Sequence, residues 1–221
     1  MTYIVKMPYR FIEEYYYLNY YEAKLLIYIA SVYTVRIQGI IKKTDENLEV
    51  EDAIGHIENL LFKYSDLEKF INDNEFNFNK LLEAINKLYD YNLIDGFRCE
   101  DEYIKIYVGE NLDSFILKCN SYHKIENLMQ LTNKKALDLY FLLMQGVRAN
   151  KDKYYLIKYK ITTLNLKEKL KYYSDIQALT LFKEIKGHIK SMNNMLVDKM
   201  SFETRKENGI IYFKVKSYIE A

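Results

Sequence analysis

The chain has 221 residues, of which 49% are hydrophobic and 29% charged, and its formal net charge is +1. This length is enough for one large domain or two ordinary ones with buried cores. Lys6 and Arg10 interrupt the short apolar stretch within residues 1–14, which excludes a signal peptide there. We also expect no apolar run long enough to span a bilayer. We therefore expect a cytoplasmic protein with no membrane partner.

The charge is divided unevenly along the chain. Residues 1–112 contain 12 Lys+Arg and 20 Asp+Glu, a net of −8, whereas residues 113–221 contain 20 and 11, a net of +9. Such an asymmetry is typical of a protein in which one part meets phosphate and the other does something else. We therefore predict two domains, an acidic one at 1–112 for self-association or protein contacts and a basic, DNA-reading one at 113–221.

The first half begins with three predicted elements. Residues 19–33 open with Asn19 and Glu22 in the spacing of a capping box and then continue with a helical apolar period, which predicts an amphipathic helix. A short strand is predicted at residues 35–41. Residues 50–62 predict a second helix.

The rest of the first half predicts two further helices and a hairpin. The helices are at residues 65–71 and 77–91, and the hairpin strands are at 97–99 and 103–108. Residues 109–122 follow, and their apolar side chains need burial. We therefore expect an ordered, packed connector rather than a flexible linker.

The second half starts with a helix predicted at residues 131–146, with Gly146 as its C-terminal cap. A strand is predicted at residues 154–161. A short helix follows at residues 165–170, capped by the side chain of Asn165.

The pattern at residues 174–197 predicts a long helix with two contrasting faces, which begins with Ser174 and Gln177 in capping-box spacing. One face is apolar, with a repeat of three and four residues, and consists of Phe182, Ile185, Ile189, Met192 and Leu196. The opposite face is polar and basic, and consists of Thr180, Lys183, Gly187, Lys190 and Asn194, with Gln177 and Lys186 on its flanks.

A hairpin is predicted after this helix, with strands at residues 201–205 and 210–216 joined by residues 206–209. The turn contains Asn208-Gly209, and both residue types tolerate positive φ, which favours a tight hairpin. Each half therefore ends in helix, longer helix and hairpin, the order typical of a winged helix. We predict an α+β fold, mainly helical, with two tandem winged-helix domains, although a helix and hairpin that only pack a core would give the same pattern.

Several residues from 132 onward match a known family. The matching features are Leu139-Tyr140 in TNKKALDLYFLLMQG, a Leu-rich short helix, Tyr172 or Tyr173, Phe182-Lys183, Asn193 or Asn194, and a strand pair that closes on IIYFKV. In this order they resemble the iteron-binding plasmid replication initiators, the Rep initiator family. The resemblance implies a protein that binds direct repeats in duplex DNA at a replication origin and helps to open it. It also implies a homodimer that represses its own synthesis.

No catalytic chemistry is visible in the sequence. His56, His123 and His188 are isolated, so the paired-histidine metal site of a DNA-nicking initiator cannot be assembled from neighbours. Cys99 and Cys119 lie far apart without a neighbouring His, and no glycine-rich phosphate loop is present. We expect a binding protein and not an enzyme, with no metal, no cofactor and no catalytic residue.

In a winged helix, the second helix of the pair enters the major groove and the hairpin lies along the backbone. Gln177 and Thr180 lie near the start of the long helix, where they would reach base edges. The candidate phosphate contacts are Lys183, Lys186 and Lys190 on the helix, with Arg205 and Lys206 at the tip of the hairpin. For each lysine, a solvated surface charge is an equal alternative.

The first half offers Lys80 and Arg98 as further candidate DNA contacts. Glu83 and Asp90 share the helix face of Lys80, and their carboxylates would repel phosphate. This domain is therefore better suited to self-association or to contact with host replication proteins. The alternative functions are a tandem winged-helix transcription regulator without a replication role, and a winged-helix scaffold for protein contacts.

Overall fold

The computed structural model describes residues 4–8, 11–43, 49–145, 149–150, 153–154, 158–172, 175–195 and 200–217. The helices are α1 (Phe11–Glu14), α2 (Tyr20–Lys43), α3 (Val50–Ile54), α4 (Tyr64–Ile71), α5 (Phe78–Asp90), α6 (Glu110–Leu117), α7 (Ile125–Gln130), α8 (Lys134–Met144), α9 (Thr163–Lys169) and α10 (Ala178–Met195). The strands are β1 (Ile4–Pro8), β2 (Asn59–Lys63), β3 (Gly96–Glu100), β4 (Tyr103–Tyr107), β5 (Cys119–Lys124), β6 (Ala149–Asn150), β7 (Lys153–Tyr154), β8 (Lys158–Thr162), β9 (Met200–Glu207) and β10 (Ile210–Ser217). Helices with small antiparallel sheets confirm the expected α+β class.

The chain divides into two compact units. The first comprises Met1–Tyr9 and Tyr17–Ile125, and the second comprises Arg10–Tyr16 and Glu126–Ala221. The boundary falls later than the expected Leu112 because α6 and β5 pack in the first unit, where β5 pairs with β1. With these bounds the first unit has 13 Lys+Arg against 19 Asp+Glu, a net of −6, and the second has 19 against 12, a net of +7. The charge asymmetry therefore follows the structural units.

Helix α2 is the central helix of the first unit. It begins with the predicted capping box, in which Asn19 Oδ1 accepts from the Glu22 N–H at 3.0 Å and Glu22 Oε2 accepts from the Asn19 N–H at 2.7 Å. The strand predicted at residues 35–41 is wrong, because α2 continues to Lys43. Tyr33 and Ile37 are buried one turn apart, so core packing along the helix outweighs the β-branched composition.

The length and apolar composition of α2 also correct the expectation that no segment could span a bilayer. By these two criteria α2 is a candidate span. Of the 18-residue segment of α2 that meets these criteria, 61% is buried inside the protein. A buried core helix passes the same criteria.

The first unit contains a three-stranded sheet in the order β2-β4-β3. The helix predicted at residues 50–62 is wrong in its second part, because α3 ends at Ile54 and residues 59–63 form β2. Leu60 and Phe62 are buried whereas Leu61 is 55% exposed, a period of two that only a strand can satisfy. Strands β3 and β4 form the predicted hairpin.

The connector predicted at residues 109–122 is ordered and packed, as expected. It forms α6 and most of β5, and Leu112, Phe115 and Ile116 are buried. Leu117 was expected to be buried with them but is exposed at the end of α6.

The second unit is built on α8, α9, α10 and a three-stranded sheet in the order β8-β10-β9. Leu137, Tyr140 and Phe141 of α8 are buried in the core of this unit. The predicted cap at Asn165 is wrong, because α9 begins at Thr163 and the side chain of Thr162 accepts from the Asn165 N–H at 3.2 Å. The capping residues predicted at Gly146 and Ser174 lie outside the described residues.

The two units share one order of elements. Apart from short additions, the first reads α2–β2–α4–α5–β3–β4 and the second reads α8–β8–α9–α10–β9–β10. In each unit the first strand of the series pairs with the last, which places the last strand at the centre of the sheet. Helices α5 and α10 therefore occupy equivalent positions, each immediately before its hairpin.

Candidate nucleic-acid interface

Helix α10 buries one face in the core of the second unit. Ile185, Ile189 and Met192 are buried as predicted. Leu181 is also buried and takes the place that was assigned to Phe182, which is only partly covered. Leu181 lies one helical turn before Ile185, so the stripe runs down a single face. Leu196, the last predicted core residue, lies outside the described residues.

The opposite face of α10 is open to solvent. The exposed residues at and along this face include all five helix candidates for DNA contact, Gln177, Thr180, Lys183, Lys186 and Lys190, and also Gly187 and Asn194. Gln177 precedes the helix, and its carbonyl oxygen accepts from the Leu181 N–H at 3.0 Å. Gln177 and Thr180 are therefore at the helix start, as predicted, and none of the five is a core residue.

The lysines give this face a positive charge. Lys183 and Lys190 lie two turns apart on one side of the helix, and within the described residues no carboxylate is within ion-pair distance of them or of Lys186. The sequence of α10 contains a single carboxylate, Glu184. Lys135 of α8 lies 4.0 Å from that carboxylate, so a lysine outside the helix balances its charge.

The side chain of Asn193 in α10 forms two hydrogen bonds with the hairpin. Asn193 Nδ2 donates to the Phe202 carbonyl oxygen at 2.8 Å, and Asn193 Oδ1 accepts from the Phe202 N–H at 2.7 Å. A groove runs between α10 and β9 beside this contact, and its lining includes Lys186, Lys190 and Asn194. Helix, groove and hairpin therefore present one continuous surface.

The hairpin is tighter than predicted. Strands β9 and β10 are joined by Asn208 and Gly209 alone, with φ of 49° and 75°, so Lys206 belongs to β9 and not to the tip. Arg205 pairs with Tyr212, and its guanidinium carbon lies 4.8 Å from the centre of the Tyr212 ring.

Lys206 pairs with Ile211, whose side chain is buried. Arg205 is exposed and Lys206 half-exposed, and they leave opposite faces of the hairpin because neighbouring residues in a strand alternate. Of the two predicted wing contacts, Arg205 is the better exposed.

The first-unit candidates have partners of their own. Lys80 Nζ lies 3.1 Å from the Tyr21 hydroxyl and 3.2 Å from Glu75 Oε2. The hydrogen bond to Tyr21 raises the pKa of Lys80, which therefore stays protonated. Arg98 is exposed on β3, and its Nε lies 2.8 Å from Glu100 Oε1. Both side chains are cationic, but each already has a local anionic or hydroxyl partner.

The contact of Asn193 and the exposed face of β4 were not predicted from the sequence. Asn193 is one of the residues that resemble the Rep initiators, but no sequence pattern indicates its contact with Phe202. The alternation of Tyr103, Lys105 and Tyr107 with two isoleucines, in contrast, is a readable signal for a sheet with an exposed aromatic face.

Among the described residues, no group of three or more His, Cys, Asp and Glu side chains could hold a metal ion. His123 is fully buried, which lowers its pKa to about 3. Burial also lowers the pKa of His188, and the nearby Lys135 adds to this effect.

No protein-family model matches the chain, and no curated protein matches it significantly. The physical features of the site are an exposed basic helix face, a bound hairpin and a groove between them. An arrangement of this kind can bind a polyanion along the helix and the hairpin together.

Proposed function

We propose that the chain is a sequence-specific DNA-binding protein with two winged helices, in which the second unit reads duplex DNA with α10. The observation that carries this proposal is the exposed face of α10. Its three lysines have no acidic partner among the described residues, and Asn193 holds the helix and hairpin together. The element order and the sheet order β8-β10-β9 support the winged-helix assignment.

The roles of the side chains follow from their positions on the helix. A helix that enters the major groove by its N-terminal end brings its first turn close to the base edges. Gln177 and Thr180 occupy that end, where an amide can pair with adenine and a threonine can meet a thymine methyl group. Lys183, Lys186 and Lys190 then contact phosphates, and Arg205 lies along the backbone.

We further propose that the DNA consists of direct repeats at a plasmid-type replication origin and that a dimer represses the protein's own promoter. This step is supported by the resemblance to the Rep initiators. Of the residues that carry this resemblance, Tyr140 and Tyr172 are buried in the second unit, and Asn193 binds Phe202. The acidic first unit then serves self-association or contact with host replication proteins.

The direct test is selection of bound sequences from a pool of random duplexes by the full chain at physiological salt. One enriched motif is expected. Its occurrence as a run of direct repeats beside the chain's own gene would support the replication role, whereas a single copy in a promoter would favour a transcription regulator. If no motif is enriched, the chain does not read duplex DNA, and a protein-contact scaffold becomes the better interpretation.

Two sets of variants make the test specific to α10. Gln177→Ala and Thr180→Ala should each relax discrimination at one base pair, at a cost of about 1–3 kcal/mol on the selected site. The matched control is Lys69→Ala with Lys87→Ala, which removes two exposed lysines from helices of the first unit and should leave the motif unchanged.

A further inference from the structure

The sheet of the first unit has one buried and one open face. On the central strand β4, Ile104 and Ile106 are buried, so Tyr103, Lys105 and Tyr107 point to the opposite face. The two tyrosines are 39% and 38% exposed. Leu61, Lys63 and Arg98 of the flanking strands lie on the same open face. We call this surface the aromatic sheet face.

The strand register arranges the aromatic sheet face as alternating rings and cations. Lys105 pairs with Leu61 of β2 on one side and with Arg98 of β3 on the other. Tyr103 pairs with Lys63, whose Nζ lies 5.7 Å from the centre of the Tyr103 ring. Lys105 Nζ lies 5.2 Å from the centre of the Tyr107 ring. Each ring therefore has a cation over one of its faces.

The Tyr107 ring lies beside a glycine of the neighbouring strand. Gly96 pairs with Tyr107 across β3 and β4, and a Cβ at Gly96 would lie 3.5 Å from Tyr107 Cδ2. Position 96 therefore has no side chain to cover the ring. Tyr103 and Tyr107 are four residues apart on one strand, so their rings are separated by about 13 Å along it.

The charge of the aromatic sheet face is opposite to that of its unit. The first unit carries a net of −6, but this face presents Lys63, Lys105 and Arg98. Glu100 is the carboxylate on the same face, and it is paired with Arg98 at 2.8 Å. An anionic ligand is therefore favoured here over the rest of the unit's surface.

We propose that the aromatic sheet face binds single-stranded nucleic acid. Exposed aromatic rings stack on unpaired bases, and neighbouring cations follow the phosphate backbone, which together give affinity without sequence preference. A duplex hides the faces of its bases, so stacking on exposed rings favours an unpaired strand. The site is in the other unit from α10 and does not depend on the proposed reading of duplex DNA.

The test uses the full chain and measures fluorescence anisotropy of labelled oligothymidylate, oligouridylate and a duplex of random sequence at low salt. Both single strands should bind. Tyr103→Ala with Tyr107→Ala should weaken this binding by about 30-fold or more, because each stacked base contributes roughly 1–3 kcal/mol. Tyr103→Phe with Tyr107→Phe should retain it, since the stacking ring remains.

Two control variants separate this site from the rest of the molecule. Tyr89→Ala removes an exposed tyrosine from α5 in the same unit and should leave single-strand binding unchanged. Lys183→Ala with Lys186→Ala and Lys190→Ala should abolish duplex binding and leave single-strand binding within about twofold, a difference below about 0.5 kcal/mol.

The proposal is overturned if neither single strand binds, which would leave the face for a protein partner, or if Tyr103→Ala with Tyr107→Ala binds as the wild type does. It is also overturned if the α10 variant loses single-strand affinity, because the strand would then lie on the second unit. None of these results would affect the sequence-specific duplex binding proposed for α10. Stronger binding to oligothymidylate than to oligouridylate would identify DNA as the ligand, and the reverse order RNA.

Discussion

The side chain of Asn193 binds both backbone groups of Phe202, donating to the carbonyl oxygen at 2.8 Å and accepting from the N–H at 2.7 Å. Phe202 lies in β9, an edge strand whose outward backbone groups have no described strand to pair with. A single amide therefore satisfies the two outward backbone groups of Phe202 and links the hairpin to α10. Phe202 itself is buried, so the contact also positions a core residue.

Replacing Asn193 should destabilise the second unit. Asn193→Ala removes two hydrogen bonds and leaves two backbone groups of Phe202 without their partner, so the free energy of unfolding should fall by about 2–4 kcal/mol. Urea denaturation measures this difference. The matched control is Asn194→Ala, an exposed neighbour whose loss should change stability by less than about 0.5 kcal/mol. Equal effects of the two substitutions would show that Asn193 does not hold the hairpin.

The start of α9 gives a second comparison between neighbours. Thr162 Oγ1 accepts from the Asn165 N–H, so Thr162→Ala should cost about 1 kcal/mol of stability. Asn165→Ala lies within the helix and is exposed, so it should be nearly neutral. Thermal or urea unfolding of the two variants decides between them. A larger loss for Asn165→Ala would restore the cap expected from the sequence.

The sequence predicts best where one local signal decides the structure. Asn208-Gly209 determines the hairpin through positive φ, and the apolar stripe of α10 determines which face is buried. Prediction fails where tertiary packing decides. Val35 and Ile37 have strand propensity, but α2 continues through them because Tyr33 and Ile37 pack in the core one turn apart.

The candidate site shows the same division. The exposed face of α10 was predictable because a helical period separates charged from apolar residues. The contact of Asn193 with Phe202 was not, because it depends on the position of the hairpin. Leu60 and Leu61 both fit a helical pattern, but Leu61 is exposed because its strand, β2, pairs with β4, a neighbour distant in the sequence.

Two exposed glycines within helices provide a test of close approach to DNA. Gly187 in α10 and Gly39 in α2 are both exposed, and a Cβ at either would meet nothing within 4 Å. Replacing either by Ala should therefore raise stability by about 0.5–1 kcal/mol. Gly187→Ala should also weaken duplex binding, because its methyl group would separate the helix backbone from DNA.

Gly39→Ala is the control, and its DNA affinity should equal that of the wild type. Urea denaturation and anisotropy with the selected duplex measure the two quantities on the same samples. Unchanged DNA affinity in Gly187→Ala would mean that this part of α10 does not approach the duplex closely.

A buried lysine should make the stability of the first unit depend on pH. Lys24 is fully buried in α2, with Nζ 3.5 Å from the Phe70 carbonyl oxygen and 4.9 Å from the Phe70 ring centre. Burial lowers its pKa from 10.5 to about 7. Above pH 7 the folded chain has released this proton while the unfolded chain retains it, so stability rises with pH until the unfolded group also titrates.

The variant Lys24→Met has a side chain of similar size but no titratable group, so its stability lacks this pH dependence. Its stability advantage over the wild type should be largest below about pH 7 and should shrink by up to about 1.4 kcal/mol per pH unit between pH 7 and 10.5. Urea unfolding of both proteins over this pH range measures the difference. A constant difference across the range would mean that Lys24 keeps its proton in the folded state.

The exposed lysines of α10 allow the most direct test of the central claim, that this helix binds duplex DNA. The measurement is the dependence of affinity for the selected duplex on salt concentration, for the wild type and for Lys183→Ala with Lys190→Ala. Both lysines are exposed, so the variant should fold normally. The slope of log affinity against log salt should flatten by about 0.9 for each phosphate that the variant no longer neutralises, close to two units for the pair. A slope equal to that of the wild type, in a folded variant, would contradict the assignment of α10 as the DNA-binding helix.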